Sequence, residues 1–171
     1  MKYKKIHIIG GPGSGKTYCS KRISKKFKIP VFDLDNIFWD NNSDTYGTKT
    51  SYEKREKKLN QILKMDKYII EGVYYSWLIK SFKTADLIII LNNSVWVRDF
   101  RITRRFLKRK LGLVKSKKES LKDFINLVKW NHKYDKNNLK KAVTIIKSVN
   151  EKYCFFKSYN GIKKFLISGK N

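Results

Sequence analysis

Residues 10–17 of this chain, Gly10-Gly11-Pro12-Gly13-Ser14-Gly15-Lys16-Thr17, satisfy the spacing G-x-x-x-x-G-K-[ST] in full. The apolar run KKIHII (4–9) precedes them, and Cys19, Ile23 and Phe27 follow at helical spacing. Strand, glycine loop and helix in that order commit the chain to a β-α unit with the loop at the strand's carboxyl end. Glycine tolerates positive φ, so backbone N–H groups can converge on phosphate oxygens, and the helix N-terminus adds partial positive charge. Gly10, Gly11, Pro12, Gly13, Ser14 and Gly15 are therefore expected to form a nucleotide-holding loop. Lys16 reaches the β and γ phosphates, and the Thr17 hydroxyl holds Mg²⁺.

The rest of the chain repeats the β-α rhythm. PVFDLD (30–35) reads as a second strand, KYIIEGV (67–73) as a third, ADLIIIL (85–91) as a fourth and KYCFF (152–156) as a last. Helical patterns run over 16–28, 95–111 and about 119–147, with WLIKSF and GIKKFLI as shorter helices. Thr50 with Glu53 reads as a capping box opening a helix after the turn-rich stretch 41–49. Alternating strands and helices imply a parallel sheet covered on both faces, with ligands beyond the strands' carboxyl ends. A length of 171 residues fits one domain, 1–171.

The polar residues that need explaining fall at those strand ends. Asp33 and Asp35 lie two apart, so on a strand both face the phosphate cleft. Glu71 ends the third strand. A phosphotransferase needs a carboxylate to order metal-bound water and another to orient the accepting hydroxyl. Asp33, Asp35 and Glu71 are the candidates for these tasks. On the helix 95–111, Trp96, Phe100, Thr103, Leu107 and Leu111 share one face, expected to be core. Arg98, Arg105 and Arg109 fall opposite, with Arg101 at the flank. Arg101 and Arg105 are the candidates for a clamp on transferring phosphate. Lys108, Lys110, Lys115, Lys117 and Lys118 read as solvated.

The formal net charge is +26. Lysine outnumbers arginine 33 to 7 along the whole chain, which favours a lysine-rich composition over a dedicated nucleic-acid surface. Such a field still predicts non-specific, salt-sensitive binding to nucleic acid. Cys19 and Cys154 show neither metal-ligand spacing nor a disulfide framework. No apolar run approaches membrane-spanning length, so a cytoplasmic location without membrane contact is expected.

With these stretches in place, the chain resembles the adenylate-kinase-like P-loop kinases, and most closely the small bacterial proteins labelled DNA topology modulation protein. Their running pattern is a GSGK loop, P-x-x-x-L-D-x-I-x-W, W-I-I-D-G-N-Y, A-D-x-I-I-x-L and an arginine helix. The matching stretches are GPGSGKT, Pro30 with LDNIFW (34–39), YIIEGVYYSWL (68–78), ADLIIIL (85–91) and Arg101 with Arg105. FINLVKWNHKYDKNNLKKAV fills the place of their aromatic, basic helix.

The resemblance implies a three-layer P-loop NTPase fold, nucleoside- and shikimate-kinase-like, with a five-stranded parallel sheet of order 2-3-1-4-5. It implies an acceptor-binding segment about 37–66 and a short lid about 106–120. Asp33 matches a metal-serving aspartate, Asp35 an acceptor-serving one, and Glu71 an aspartate that follows strand 3 in adenylate kinases. Arg101 and Arg105 match a lid R-x-x-x-R that contacts adenine and phosphates. Three departures stand out. Val73 replaces an acceptor-contacting Asn, Lys136 and Lys140 replace arginine as point charges, and the signature D-G-[FY]-P-R is missing, which argues against AMP as acceptor. The expected function is an ATP- and Mg²⁺-dependent phosphotransferase acting on a small molecule. The competing expectation is a nucleotide-binding regulator or nucleic-acid-associated protein without turnover.

Overall fold

The computed structural model describes residues 2–40, 48–114 and 120–168. Residues 115–119 of the expected lid, with Lys115, Lys117 and Lys118, and most of the turn-rich stretch 41–49 lie outside the described residues.

Five strands form one parallel sheet: β1 (Lys5–Gly10), β2 (Val31–Asp33), β3 (Tyr68–Gly72), β4 (Leu87–Leu91) and β5 (Tyr153–Phe156). Their spatial order is β2-β3-β1-β4-β5, as expected. The chain reverses direction around β1, so the loop after it opens at the switch point where α/β sheets bind ligands. Helices α1 (Lys16–Phe27) and α8 (Tyr159–Ser168) cover one face. There Cys19, Ile23, Ile162 and Leu166 pack on Ile6, Ile8, Ile69 and Ile89. Helices α3 (Tyr52–Leu63), α4 (Ile79–Thr84) and α7 (Lys140–Val149) cover the other. Their Leu59, Ile62, Phe82, Ala142 and Ile146 pack on Ile9, Ile70, Ile88 and Ile90. Near-continuous apolar strands suit a sheet buried on both sides. Among the described residues no helix is long and apolar enough to cross a membrane.

The period-two pleat positions the carboxylates. Asp33 pairs in register with Glu71, and Glu71 with Ile8, so these side chains leave the sheet on the α1 face. Strand β2 ends at Asp33, and Asp35 instead opens the short helix α2 (Asp35–Phe38). Strand alternation, expected above to carry Asp35 to the cleft, therefore does not do so. The turn does, with the Asp35 N–H donating to Asp33 Oδ1 at 2.9 Å.

Three further expectations are corrected. Ser51, not Thr50, caps α3 and accepts from the Lys54 N–H, while the buried Thr50 donates its N–H to Phe38. The stretch 119–147 is helical from Leu121 onward, as expected, but not α-helical throughout. It comprises α6 (Leu121–Tyr134), a π-helical turn (Asp135–Leu139) and α7. Most consequentially, α5 (Val95–Lys110) faces the other way from its apolar stripe. Arg98, Ile102 and Phe106 are buried, whereas Trp96 and Phe100 are 73% and 69% exposed. Arg98 tolerates burial because Asp135 receives its guanidinium through two bonds, 2.7 and 2.8 Å. Hydrophobic periodicity scores arginine as outward-facing, so a buried ion pair inverts it.

Candidate active site

The phosphate loop runs from Gly11 to Gly15 between β1 and α1. Gly13 and Gly15 have φ of 70° and 95°, left-handed values that glycine adopts without strain. A Cβ on Gly11 would lie 2.7 Å from Arg98 Nη1, and one on Gly13 would lie 2.7 Å from the Arg98 carbonyl oxygen. The loop thus rests on the inward face of α5. Helix α1 begins at Gly15 with no side-chain cap. Its first-turn N–H groups have no acceptor within the helix, the arrangement that receives an anion. The Ser14 hydroxyl is buried without a partner among the described residues.

Beyond the strand ends lies a cleft of about 760 Å³. Of the expected loop residues, Pro12, Gly13, Gly15, Lys16 and Thr17 line it. Gly10, Gly11 and Ser14 are buried behind them, Gly10 as the last residue of β1. Asp33, Asp35, Glu71, Arg101 and Arg105 line the same cleft, so side chains from four segments meet there. Lys16 Nζ donates to the Gly11 carbonyl at 3.0 Å, and Arg101 Nη1 donates to the Gly13 and Ser14 carbonyls at 3.2 and 3.1 Å. Lys136 and Lys140 are not among the lining residues; Trp130 and Asn138 take that wall.

Thr17 Oγ1 donates to Glu71 Oε1 at 2.6 Å, which joins the end of β3 to the first turn of α1. Burial pushes the Glu71 carboxyl above its ordinary value, with the Thr17 hydrogen bond opposing and neighbouring Asp33 adding to the rise. Burial likewise raises Asp33, against the Asp35 N–H. Burial lowers Lys16 although Glu71, Asp35 and Asp33 all favour its ammonium form. Three carboxylates, one hydroxyl and one lysine sharing a cleft is a donor set for phosphate and a hydrated divalent cation. Among the described residues no group of three or more His, Cys, Asp or Glu could hold a metal by itself. Magnesium asks for less, keeping several waters and taking one or two protein ligands beside phosphate oxygens.

Sequence reasoning missed a contact on the far wall. The Tyr74 hydroxyl donates to Asp35 Oδ1 at 2.7 Å. Burial and the Asp35 charge hold the Tyr74 phenol protonated, its affinity for the proton pushed well above the usual tyrosine value. It also missed Arg98 beneath the loop and Arg55, whose guanidinium lies 4.9 Å from the Phe38 ring centre and 5.6 Å from that of Trp77. No residue spacing signals either arginine, because each partner comes from another element.

No family model matches the chain. The uncharacterized protein YqaC of Bacillus subtilis (strain 168) is 29% identical over 103 residues, 59% of this chain. The match spans 54% of that relative, about half its length. A shikimate kinase from Acinetobacter baumannii, solved in complex with shikimate, superposes with a TM-score of 0.59 at 15% identity over 98% of this chain and 94% of its own. One from Bacteroides thetaiotaomicron gives 0.59 and 15% over 97% and 99%. An unliganded sugar kinase from a Janibacter species gives 0.54 and 11% over 95% and 91%. At these identities the likeness shows the fold, which is that of a P-loop kinase. It does not single out the topology-modulation proteins.

Proposed function

We propose that this chain is a phosphotransferase that moves the terminal phosphoryl group of Mg-ATP to a hydroxyl of a small molecule. One observation carries the reading: Lys16, Thr17, Asp33, Asp35, Glu71, Arg101 and Arg105 all line one cleft above an uncapped helix N-terminus. Mg-ATP supplies the phosphoryl group and, through its metal, neutralises charge on the phosphate oxygens.

The chain's own groups divide the remaining work. The loop amides and Lys16 hold the β and γ phosphates, and an anion there offsets the burial that lowers the lysine's hold on its proton. Thr17 would hold the cation, with Glu71 and Asp33 placed to order its waters. Glu71 serves Thr17 and the cation's waters, which leaves Asp35 to orient the acceptor hydroxyl. Its Oδ1 is fixed by Tyr74, and it takes the proton as the hydroxyl oxygen bonds to phosphorus. The bond from phosphorus to the β–γ bridging oxygen breaks and ADP leaves. Arg101 and Arg105 balance the charge spread over the transferring oxygens. Segment 37–66 contributes Phe38, Trp39 and Arg55 to the acceptor end.

The test is an incubation with ATP, Mg²⁺ and a panel of small alcohols, following ADP. Acceptor-dependent release that disappears in Lys16→Ala supports phosphotransfer. Nucleotide binding with no acceptor-dependent release overturns it and favours a regulator without turnover.

A further inference from the structure

Helix α5 carries large apolar side chains on its outward face as well as its inward one. Trp96, Phe100, Leu107 and Leu111 recur along one side of it and are 73%, 69%, 51% and 71% exposed. Helix α6 widens this surface. It runs antiparallel beside α5, with Phe106 stacked on Phe124 at 4.5 Å near one end and Asp99 bonded to Asn131 and His132 near the other. Leu121, Ile125 and Val128 repeat at helical spacing on α6, the first two exposed. A turn further on, His132 meets the Trp96 ring edge-on at 5.8 Å, so the two stripes join across the helix pair. None of these side chains lines the cleft. A run of exposed apolar surface on this scale marks contact with something else.

Charge identifies the partner. At helical spacing Arg104 and Lys108 border the α5 stripe, and Lys129 and Lys133 border the α6 stripe on its far side, all four exposed. The acidic residues of the two helices are engaged within the chain, Asp99 with Asn131 and His132 and Asp123 with Ser120 in a capping box. The rim is therefore cationic, and the partner is anionic. A second copy would bring the same cations, on a chain of net charge +26, against this one. Nucleic acid supplies anions, but its bases stack on rings and gain little from Leu107, Leu111, Leu121 and Ile125. A protein partner would need a socket for each protruding side chain, whereas a bilayer deforms around them. Tryptophan, phenylalanine and leucine between flanking lysines and arginines is the composition of helices that lie at the headgroup–acyl boundary of anionic membranes.

We propose that the outer face of the α5–α6 pair docks reversibly on an anionic lipid bilayer. Trp96, Phe100 and the leucines enter the acyl boundary, and the flanking cations meet headgroup phosphates. The contact lies on the bilayer rather than across it, and goes beyond the sequence reading, which expected none. It stands whether or not the cleft transfers phosphate.

Co-sedimentation of the full chain with vesicles at physiological salt tests this. Charge alone draws so basic a chain to phosphatidylglycerol, so the deciding variant keeps every charge: Trp96→Ser combined with Phe100→Ser, both at exposed positions. The wild type is expected to bind phosphatidylcholine vesicles containing phosphatidylglycerol, and pure phosphatidylcholine at least about tenfold more weakly. The double variant should bind the mixed vesicles roughly tenfold more weakly than the wild type. A conservative variant reads the same contact. Brominated acyl chains should quench wild-type tryptophan emission, and Trp96→Phe should bind as the wild type does yet lose most of that quenching, because Trp39, Trp77 and Trp130 line the cleft. Equal vesicle binding by the double variant, no binding by the wild type, or unquenched emission from the vesicle-bound wild type overturns the proposal. So does a wild-type dimer, or single-stranded DNA binding, that the double variant loses in place of vesicle binding; those results assign the face to a second copy or to nucleic acid.

Discussion

The Arg98–Asp135 pair lends itself to a quantitative prediction. Arg98 is fully buried and its side chain abuts Gly11 of the phosphate loop, while the Asp135 side chain is 37% exposed. Asp135→Asn leaves a buried guanidinium without its anion. Breaking a buried pair in that way costs about 3–5 kcal/mol, and solvent access to Asp135 puts this case near about 3. For a chain of this length that lowers Tm by roughly 6–12 °C. Arg98→Met keeps an apolar stem of similar reach and strands only a carboxylate that water can rehydrate. It costs less, about 1–2 kcal/mol. The double variant matches Arg98→Met, because neutral Asn no longer faces a charge, so the pair shows a coupling of about 3 kcal/mol. Urea unfolding followed by circular dichroism reads all four corners. A loss below about 1 kcal/mol in Asp135→Asn, or single losses that simply add, would refute the account of a buried charge neutralised by Asp135.

Other outcomes follow from the same fold. His7 is fully buried on a bond to Ser81 Oγ, and burial lowers its pKa from 6.5 to about 3. The unfolded chain takes a proton below pH 6.5 while the folded chain resists, so stability falls with acidity from there toward pH 3. The loss reaches about 2 kcal/mol at pH 5, and His7→Gln should flatten that slope; an unchanged slope in the variant contradicts the assignment. A methyl group at Gly72 would sit 2.8 Å from Leu34 Cβ and Cδ1, between the two β2–α2 aspartates and β3. Gly72→Ala should cost about 1–3 kcal/mol in urea unfolding and depress acceptor-dependent ADP release beyond its effect on stability. Wild-type turnover in that variant would argue against a role for the Asp33–Asp35 turn.

The strands, the helices between them and the phosphate loop were legible because local signals carry them, whereas the order of the sheet was implied by the family resemblance. Glycine spacing, short apolar runs and strand-end carboxylates each report on a few neighbouring residues. What failed was long-range. Arg98 reads as a surface cation until Asp135, 37 residues on, is brought beneath the loop by a π-helical turn that no local pattern announces. The exposed stripe Trp96–Phe100 reads as core for the complementary reason: periodicity measures amphipathicity but not which face the partner offers. Asp33 was placed by strand pleat, whereas Asp35 reached the cleft by a turn that the two-residue spacing disguised. The Tyr74–Asp35 contact and the Arg55–Trp77 corner join segments separated by 39 and 22 positions, beyond the reach of any motif.

A calorimetric titration of the wild-type chain and Lys16→Ala with Mg-ATP reaches the root of this account. Binding at one site in the wild type and none detectable in the variant is the predicted result. Absence of heat in the wild type, or equal affinity in Lys16→Ala, would mean that the loop between β1 and α1 does not hold a nucleotide's phosphates.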